Sequence, residues 1–508
     1  MSERSRGFLI PAVLAAVTTL LHLLTAQDSY GIFRDELYYV ACSEHLGFGY
    51  VDQPPLVALL TRLFRTLFGG SLPALRLLPA LAAGGTVFLT ARIARELGGD
   101  RFAVVLAALT TALAPAYVGN FGFLSMNSLD VLFWTGAVFI LVRIFRTKNE
   151  ALWIPFGVVA GLGLENKISV LFLGFGLVVG LVLAREWGHF RSRQLWLGGL
   201  TAFVLFLPHL IWQAVYGWPT LEFMERATQY KNLPLAPLEF LSAQVLRINP
   251  IVAPLALAGL AFYLFTRQGR PYRALGWAFL VVLALMITQR AKPYYLSPSY
   301  TLLLAPGAVL LGQLAGRRGL AWVRPVAVVV VVISGLALAP LAKPVLPVED
   351  YVAHAERLGV APSTSERKEV GRLPQFFADR LGWRELAEEV AEIYHALPPE
   401  DREQACVFGQ NYGQAGAIDY YRDELDLPRA ISGHNSYHLW GPQGCTGEVL
   451  IVIGDDREDL ERLFETVELA TIYTCDDCMP YENDKPIWVC RGLKTPFETL
   501  WPQIGHYD

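Results

Sequence analysis

Apolar stretches of about 17–20 residues recur along the first 341 residues, with arginine or lysine at every second connection between them. A stretch of that length matches the hydrocarbon core of a bilayer. There the backbone N–H and C=O groups must be paired within the segment, so each stretch is expected to be a helix. About eleven are placed, near 8–26, 74–96, 102–119, 128–145, 151–165, 168–184, 195–213, 248–266, 274–290, 298–316 and 322–341. Charged residues are 17% of the 508 and hydrophobic ones 53%, against roughly 25% charged in soluble domains, so a multi-spanning membrane protein is the class indicated. No basic run of the kind that binds nucleic acid is present.

The arginines set a direction. With the N-terminus cytoplasmic, the inner connections contain Arg92, Arg95 and Arg101, then Arg143, Arg146 and Lys148, then Arg185, Arg191 and Arg193, then Arg267, Arg270 and Arg273, and finally Arg317, Arg318 and Arg324. The outer face then receives 27–73, 120–127, the turn Glu165-Asn166-Lys167, 214–247, 291–297 and the C-terminal region. The first of these loops is too long for a simple connector. Its second half, 56–68, is apolar around most of a helix with cations on one side, and follows Pro54-Pro55; this predicts a helix lying in the membrane interface.

Three parts are expected: 1–341, an all-α polytopic membrane domain with 27–73 as its first external loop; 342–375, a linker; and 376–508, an external soluble α/β domain. In the last part, strands are predicted at Ala405–Gly409, Glu448–Gly454, Glu468–Thr474 and Ile487–Cys490, and helices near 383–397, 413–424 and 456–466. Five of six cysteines lie there. A disulfide among Cys445, Cys475, Cys478 and Cys490 is expected if this face is oxidising, with the pairing left open.

The candidate chemistry lies on the outer face. Asp35 and Glu36 follow the first apolar stretch, and a charge at the bilayer centre costs at least about 2.5–3.5 kcal/mol, so the pair belongs at the membrane–water boundary. Asp52-Gln53-Pro54-Pro55 is a second acidic site in the same loop, which also holds Tyr38, Tyr39 and Tyr50. Asp130 opens a later span after Ser125-Met126-Asn127-Ser128, where an acid also stabilises a helix N-terminus. Lys167 sits at a tight outer turn, and Arg290 and Lys292 precede Tyr294-Tyr295 at another. External cations run against the positive-inside bias, and a phosphate anion is the partner they suit. The carboxylates would also suit a divalent cation, though nothing in the sequence requires one.

This order of motifs resembles the membrane-embedded GT-C glycosyltransferases of the protein-mannosyltransferase and aminoarabinose-transferase superfamily, over roughly residues 8–315. The resemblance implies transfer of a sugar from a polyprenyl-phosphate donor to an envelope glycan, lipid or protein, with inversion, at the outer side of the cell membrane. It implies Asp35 as catalytic base with Glu36 beside it, and substrate-binding roles for the Asp52-Gln53 turn, Asp130 and Lys167; Arg290, Lys292, Tyr294 and Tyr295 are added as substrate-binding candidates from their own place at an external turn. The family's cation in the acidic-basic-Pro-Pro motif is replaced here by Gln53. A rival reading, a transporter or flippase of lipid-linked sugars using the same acids, is weakened by spans largely free of charge.

Overall fold

The computed structural model describes residues 3–26 and 30–508, so residues 27–29 of the first long loop lie outside the described residues. The chain divides into two compact units. One comprises residues 1–27, 68–211 and 234–346, and the other 28–67, 212–233 and 347–508.

The first unit is helical throughout. Among the described residues, six helices are long and apolar enough to cross a membrane: Leu72–Glu96, Met126–Thr147, Arg193–Val215, Arg270–Thr288, Pro293–Ala315 and Val323–Ala342. A seventh is added if Pro237–Ile248 and Ala253–Phe265, bent by 105° at their break, make one span. The first expected stretch lies in the 22-residue helix Glu3–Leu24, and the remaining three are helical but short, at Arg101–Ala112, Trp153–Asn166 and Val170–Leu183. The eleven expected stretches are thus all helical, and the long, apolar test applied to the described residues singles out six or seven of them as spans. Pro115 ends the third stretch early: it cannot continue the preceding helix and instead opens a new short one, Pro115–Asn120.

Outward faces remain apolar. On Val323–Ala342, Val326, Val329, Ile333 and Leu336 are exposed at helical spacing, a stripe suited to lipid. Inside, small residues let helices approach. A Cβ on Gly259 would collide with the Leu303 carbonyl oxygen, and one on Gly307 with that of Leu255, so Ala253–Phe265 and Thr301–Ala315 meet backbone to backbone.

The second unit holds a five-stranded sheet with β1 (Ala405–Gly409), β2 (Ala430–Ile431), β3 (Val449–Ile453), β4 (Phe464–Tyr473) and β5 (Lys485–Leu493), in the order β2-β1-β3-β5-β4. β1 is parallel to both β2 and β3, while β5 runs antiparallel to β3 and β4. Every residue of β3 is buried, as the centre of a covered sheet requires. The expected helix near 456–466 stops at Leu463, and β4 begins at Phe464, four residues before the expected Glu468. β2 has only two residues, too few for any periodic signal.

The disulfides are Cys406–Cys445 and Cys475–Cys478. Cys406 lay outside the expected set, and Cys490 is not bonded: it pairs across the sheet with Leu450 and is buried in the core with Leu450 and Trp488. Also in this unit, the helix Leu56–Phe68 starts directly after Pro54-Pro55, buries Val57, Ala58 and Thr61, and exposes Leu59, Leu63 and Leu67.

The helix contacts of the first unit yield a direct test. Gly259→Leu and Gly307→Leu should each destabilise the protein by about 1–3 kcal/mol through overpacking. Gly174→Ala, where nothing lies within 4 Å of the added carbon, should match the parent. Thermal unfolding in detergent measures the difference.

Candidate active site

Asp35 and Glu36 are neighbours in sequence with different surroundings, because successive residues turn about 100° around a helix. Both lie in the first turn of the helix Arg34–Glu44. Glu36 is fully buried, and its Oε2 accepts the Phe33 N–H at 2.9 Å, closing the helix N-terminus. Asp35 is half-exposed, and its Oδ1 accepts the Tyr412 hydroxyl at 2.9 Å. The pair therefore divides into a capping carboxylate and one that remains accessible.

Tyr412 reaches Asp35 because of the sheet. It lies just past the carboxyl end of β1, where the order β2-β1-β3 makes the chain leave in opposite directions, the place where open α/β sheets bind ligands. Asn411 accepts the N–H groups of Gly413 and Gln414 at 2.8 and 3.1 Å, starting the helix Tyr412–Leu425. Added carbons on Gly413 and Gly416 would press on Arg34 and Leu37, so these glycines let the Asp35 helix lie close against this one. The loop Phe408–Gly416 is thus a docking turn for the acidic helix.

Beneath Asp35, the buried Arg34 guanidinium lies 4.6 Å from the Tyr412 ring centroid and donates to the Tyr481 hydroxyl at 2.5 Å. Tyr481 in turn donates to Asp379 Oδ1 at 3.0 Å. Burial pushes the Asp379 carboxyl up to about 7 despite Arg34, with Asp35 and Glu366 adding to the rise. Asp52 takes the Tyr38 hydroxyl at 2.9 Å, and Tyr38 also lies 2.7 Å from Ser436 Oγ. Burial raises Asp52 to about 6, the Asp35 charge adds to that, and the Tyr38 hydrogen bond and Lys231 oppose it. Gln53 is buried and turns its amide towards Cys42 Sγ at 3.6 Å.

Lys231 and Asp379 were not singled out by the sequence. Lys231 ends a π-helical turn, Ala227–Lys231, and its backbone oxygen accepts the Arg367 N–H at 2.8 Å. Single π turns are frequent at functional sites. The signal for Lys231 was available: it is a cation in an outer, aromatic loop, the argument already applied to Lys167.

In the first unit, four expected site residues meet. Lys167 Nζ lies 2.6 Å from Asn127 Oδ1 and 3.9 Å from Asp130 Oδ2, and within 5.5 and 4.9 Å of the Tyr294 and Tyr295 ring centroids. Asp130 Oδ1 accepts the Ser169 hydroxyl at 2.5 Å, and Ser169 accepts the Trp134 indole N–H at 3.2 Å. A cation braced by one carboxylate and two aromatic faces is suited to an anionic group. Arg290 is exposed, in a left-handed backbone conformation at the end of Arg273–Thr288, and Lys292 is buried just before the turn Pro293–Tyr300.

Among the described residues, His434, His506 and Asp508 have potential ligand atoms within 4.8 Å of one another. The hydrogen bonds of His434 do not fit a metal. Its Nδ1 accepts the Tyr412 N–H at 3.3 Å, so the proton sits on Nε2, which donates to the Asp508 carbonyl at 3.0 Å. No lone pair of this imidazole is left for a cation, and burial holds the ring neutral.

Residues 52–212 match the family described as dolichyl-phosphate-mannose-protein mannosyltransferase. The lipid A galacturonosyltransferase RgtD of Rhizobium johnstonii is 24% identical over 273 residues, 53% of this chain and 57% of the relative, so the match spans little more than half of that protein. The structure of ArnT from Cupriavidus metallidurans in the apo state superposes with a TM-score of 0.62 at 16% identity, covering 96% of this chain and 98% of that one. The same protein bound to undecaprenyl phosphate gives 0.61 at 16% identity, covering 94% and 97%. The chain has an ArnT-like GT-C fold.

The raised carboxylates imply a pH dependence. A carboxyl at about 7 in the folded state and about 3.9 unfolded means that the native protein holds the extra proton between those values. The stabilisation is complete below the lower value and is lost as pH rises through 7, with Asp52 adding the same trend through about 6. Melting temperature should therefore fall between pH 5 and 8, and Asp379→Asn should flatten that slope.

Proposed function

We propose that this chain transfers a sugar from a polyprenyl-phosphate donor to a glycan, lipid or protein acceptor outside the cytoplasm, with inversion at the anomeric carbon. The observation that carries this reading is Asp35: on a GT-C fold, one carboxylate of the acidic pair stays accessible and is oriented by Tyr412, while its neighbour is used as a cap. The relatives supply the substrate class, since one solved neighbour is bound to undecaprenyl phosphate and the curated relative is named for a lipid A sugar transfer. Two disulfides in the second unit agree with an oxidising, extracytoplasmic setting in the cell envelope.

Asp35 takes the proton of the acceptor hydroxyl as its oxygen bonds to the anomeric carbon. The bond from that carbon to the donor phosphate oxygen breaks, and the electron pair leaves with the polyprenyl phosphate. One displacement inverts the centre. Within the first unit, Lys167, oriented by Asp130, Asn127, Tyr294 and Tyr295, is suited to a phosphate anion; a fixed cation at a leaving anion lowers a barrier. Lys231 is the corresponding cation of the acidic group. Arg290 and Lys292 are the further cations proposed for that phosphate, and no step above is routed through a metal. The transporter reading has no observation in its favour.

Asp35→Asn should lower transfer of labelled sugar from polyprenyl phosphate by about 10²–10⁴-fold. Tyr412→Phe should cost about tenfold, as loss of one hydrogen bond to a charged group does. Unchanged transfer by Asp35→Asn, in protein that unfolds at the parent temperature, refutes the assignment.

A further inference from the structure

A pocket in the second unit is not used by the chemistry above. It has a volume of about 250 Å³ and lies between the end of the helix Arg34–Glu44, the turn 45–50, Trp212 and Tyr216, and the short helix Ser436–Leu439 with Trp440. Aromatic rings dominate its walls. His45 stacks on Trp440 at 4.2 Å with the planes 12° apart, and Trp212 stacks on Tyr216 at 4.6 Å and 25°. Each stack fixes the orientation of its rings before anything binds.

The polar groups are few and neutral. No Asp, Glu, Lys or Arg lines the pocket, which disfavours a phosphate or a cation as occupant. Leu46 and Leu439 are the only aliphatic side chains there, too little for an acyl chain. His45 Nε2 faces the Arg429 guanidinium at 3.3 Å; a guanidinium only donates, so His45 carries its own proton on Nδ1. Ser436 supplies a hydroxyl, whose oxygen accepts the Val51 N–H at 3.1 Å and lies 2.7 Å from the Tyr38 oxygen. Tyr38 reaches Asp52, so Ser436 is two hydrogen bonds from an acid of the site.

Flat aromatic faces, neutral donors at the edge and room for one ring suit the alternating C–H face and hydroxyl rim of a pyranose. We infer that this pocket binds one uncharged pyranose ring of a glycan acceptor, with Trp440, Trp212 and Tyr216 as stacking surfaces and Ser436 and His45 as hydrogen-bonding groups. The inference rests on the glycosyltransferase reading for the word acceptor; the binding of a sugar ring does not.

Gly47 allows a clean test. The nearest atoms to a Cβ added there are the Gly49 carbonyl oxygen at 3.5 Å and the Gly49 backbone nitrogen and Trp212 indole nitrogen at 4.0 Å, all at ordinary contact distance, so the backbone accepts a side chain that Gly47→Leu extends into the pocket. The full chain in a sugar-free detergent would be titrated with the methyl pyranosides of glucose, galactose, mannose and N-acetylglucosamine, followed by saturation-transfer NMR. At least one should bind saturably. Gly47→Leu and Trp440→Ala should each weaken it at least tenfold, while Trp440→Phe retains it and Asp35→Asn leaves it unchanged. The inference is overturned if none of the four saturates the parent, if binding survives Gly47→Leu, or if decyl phosphate displaces the sugar, which would make the pocket part of the donor site. Sugar binding that persists in Asp35→Asn while transfer is also unchanged would leave the pocket standing and remove the catalytic assignment.

Discussion

The hydrogen bond from Tyr412 to Asp35 joins residues 377 positions apart, and the acidic group is organised around it. It places a carboxylate from the first long loop against a helix that begins at the carboxyl end of β1. The same tyrosine lies over the Arg34 guanidinium, so one side chain orients the acid and covers the buried cation next to it. Without a sheet to hold Tyr412, Asp35 would be an ordinary exposed acid in the first turn of a short helix.

Burial distributes the charges around that contact. Asp379 and Asp52 are both raised towards neutral pH because desolvation outweighs the nearby cations, while Asp35 keeps water on one side. Carboxylates crowded together cannot all ionise without cost, and the less accessible ones take up that cost. In the first unit the balance is reversed: a single lysine is held by one carboxylate, an amide and two tyrosine faces.

Much of this was legible in the sequence for reasons of period and length. The apolar stretches are all helical because a chain in hydrocarbon has no other way to pair its backbone, and the helix after Pro54-Pro55 starts where proline permits. β1, β3 and β5 announced themselves as short apolar runs. The break at Pro115 and the short β2 were harder to see, since one is a local interruption in an otherwise uniform run and the other is too brief to show alternation. Glu36 and Asp35 could not be separated by sequence, because adjacent acids in one turn differ only in which way the helix faces.

The sequence alone determined the membrane class, the helical stretches, the α/β character of the C-terminal region, and the residue types that bear charge in the loops between the apolar stretches. These depend on composition and on contacts between residues a few positions apart. Tertiary structure alone decided that 28–67 and 212–233 pack into one unit with 347–508, that Tyr412 rather than a nearer residue holds Asp35, that Cys406 rather than Cys490 forms a disulfide, and that Lys231 bears on Asp52. Each of these joins segments far apart in the chain, and the partner of a polar group is chosen by which surfaces the packed helices and sheet bring together, a choice that local periodicity does not encode.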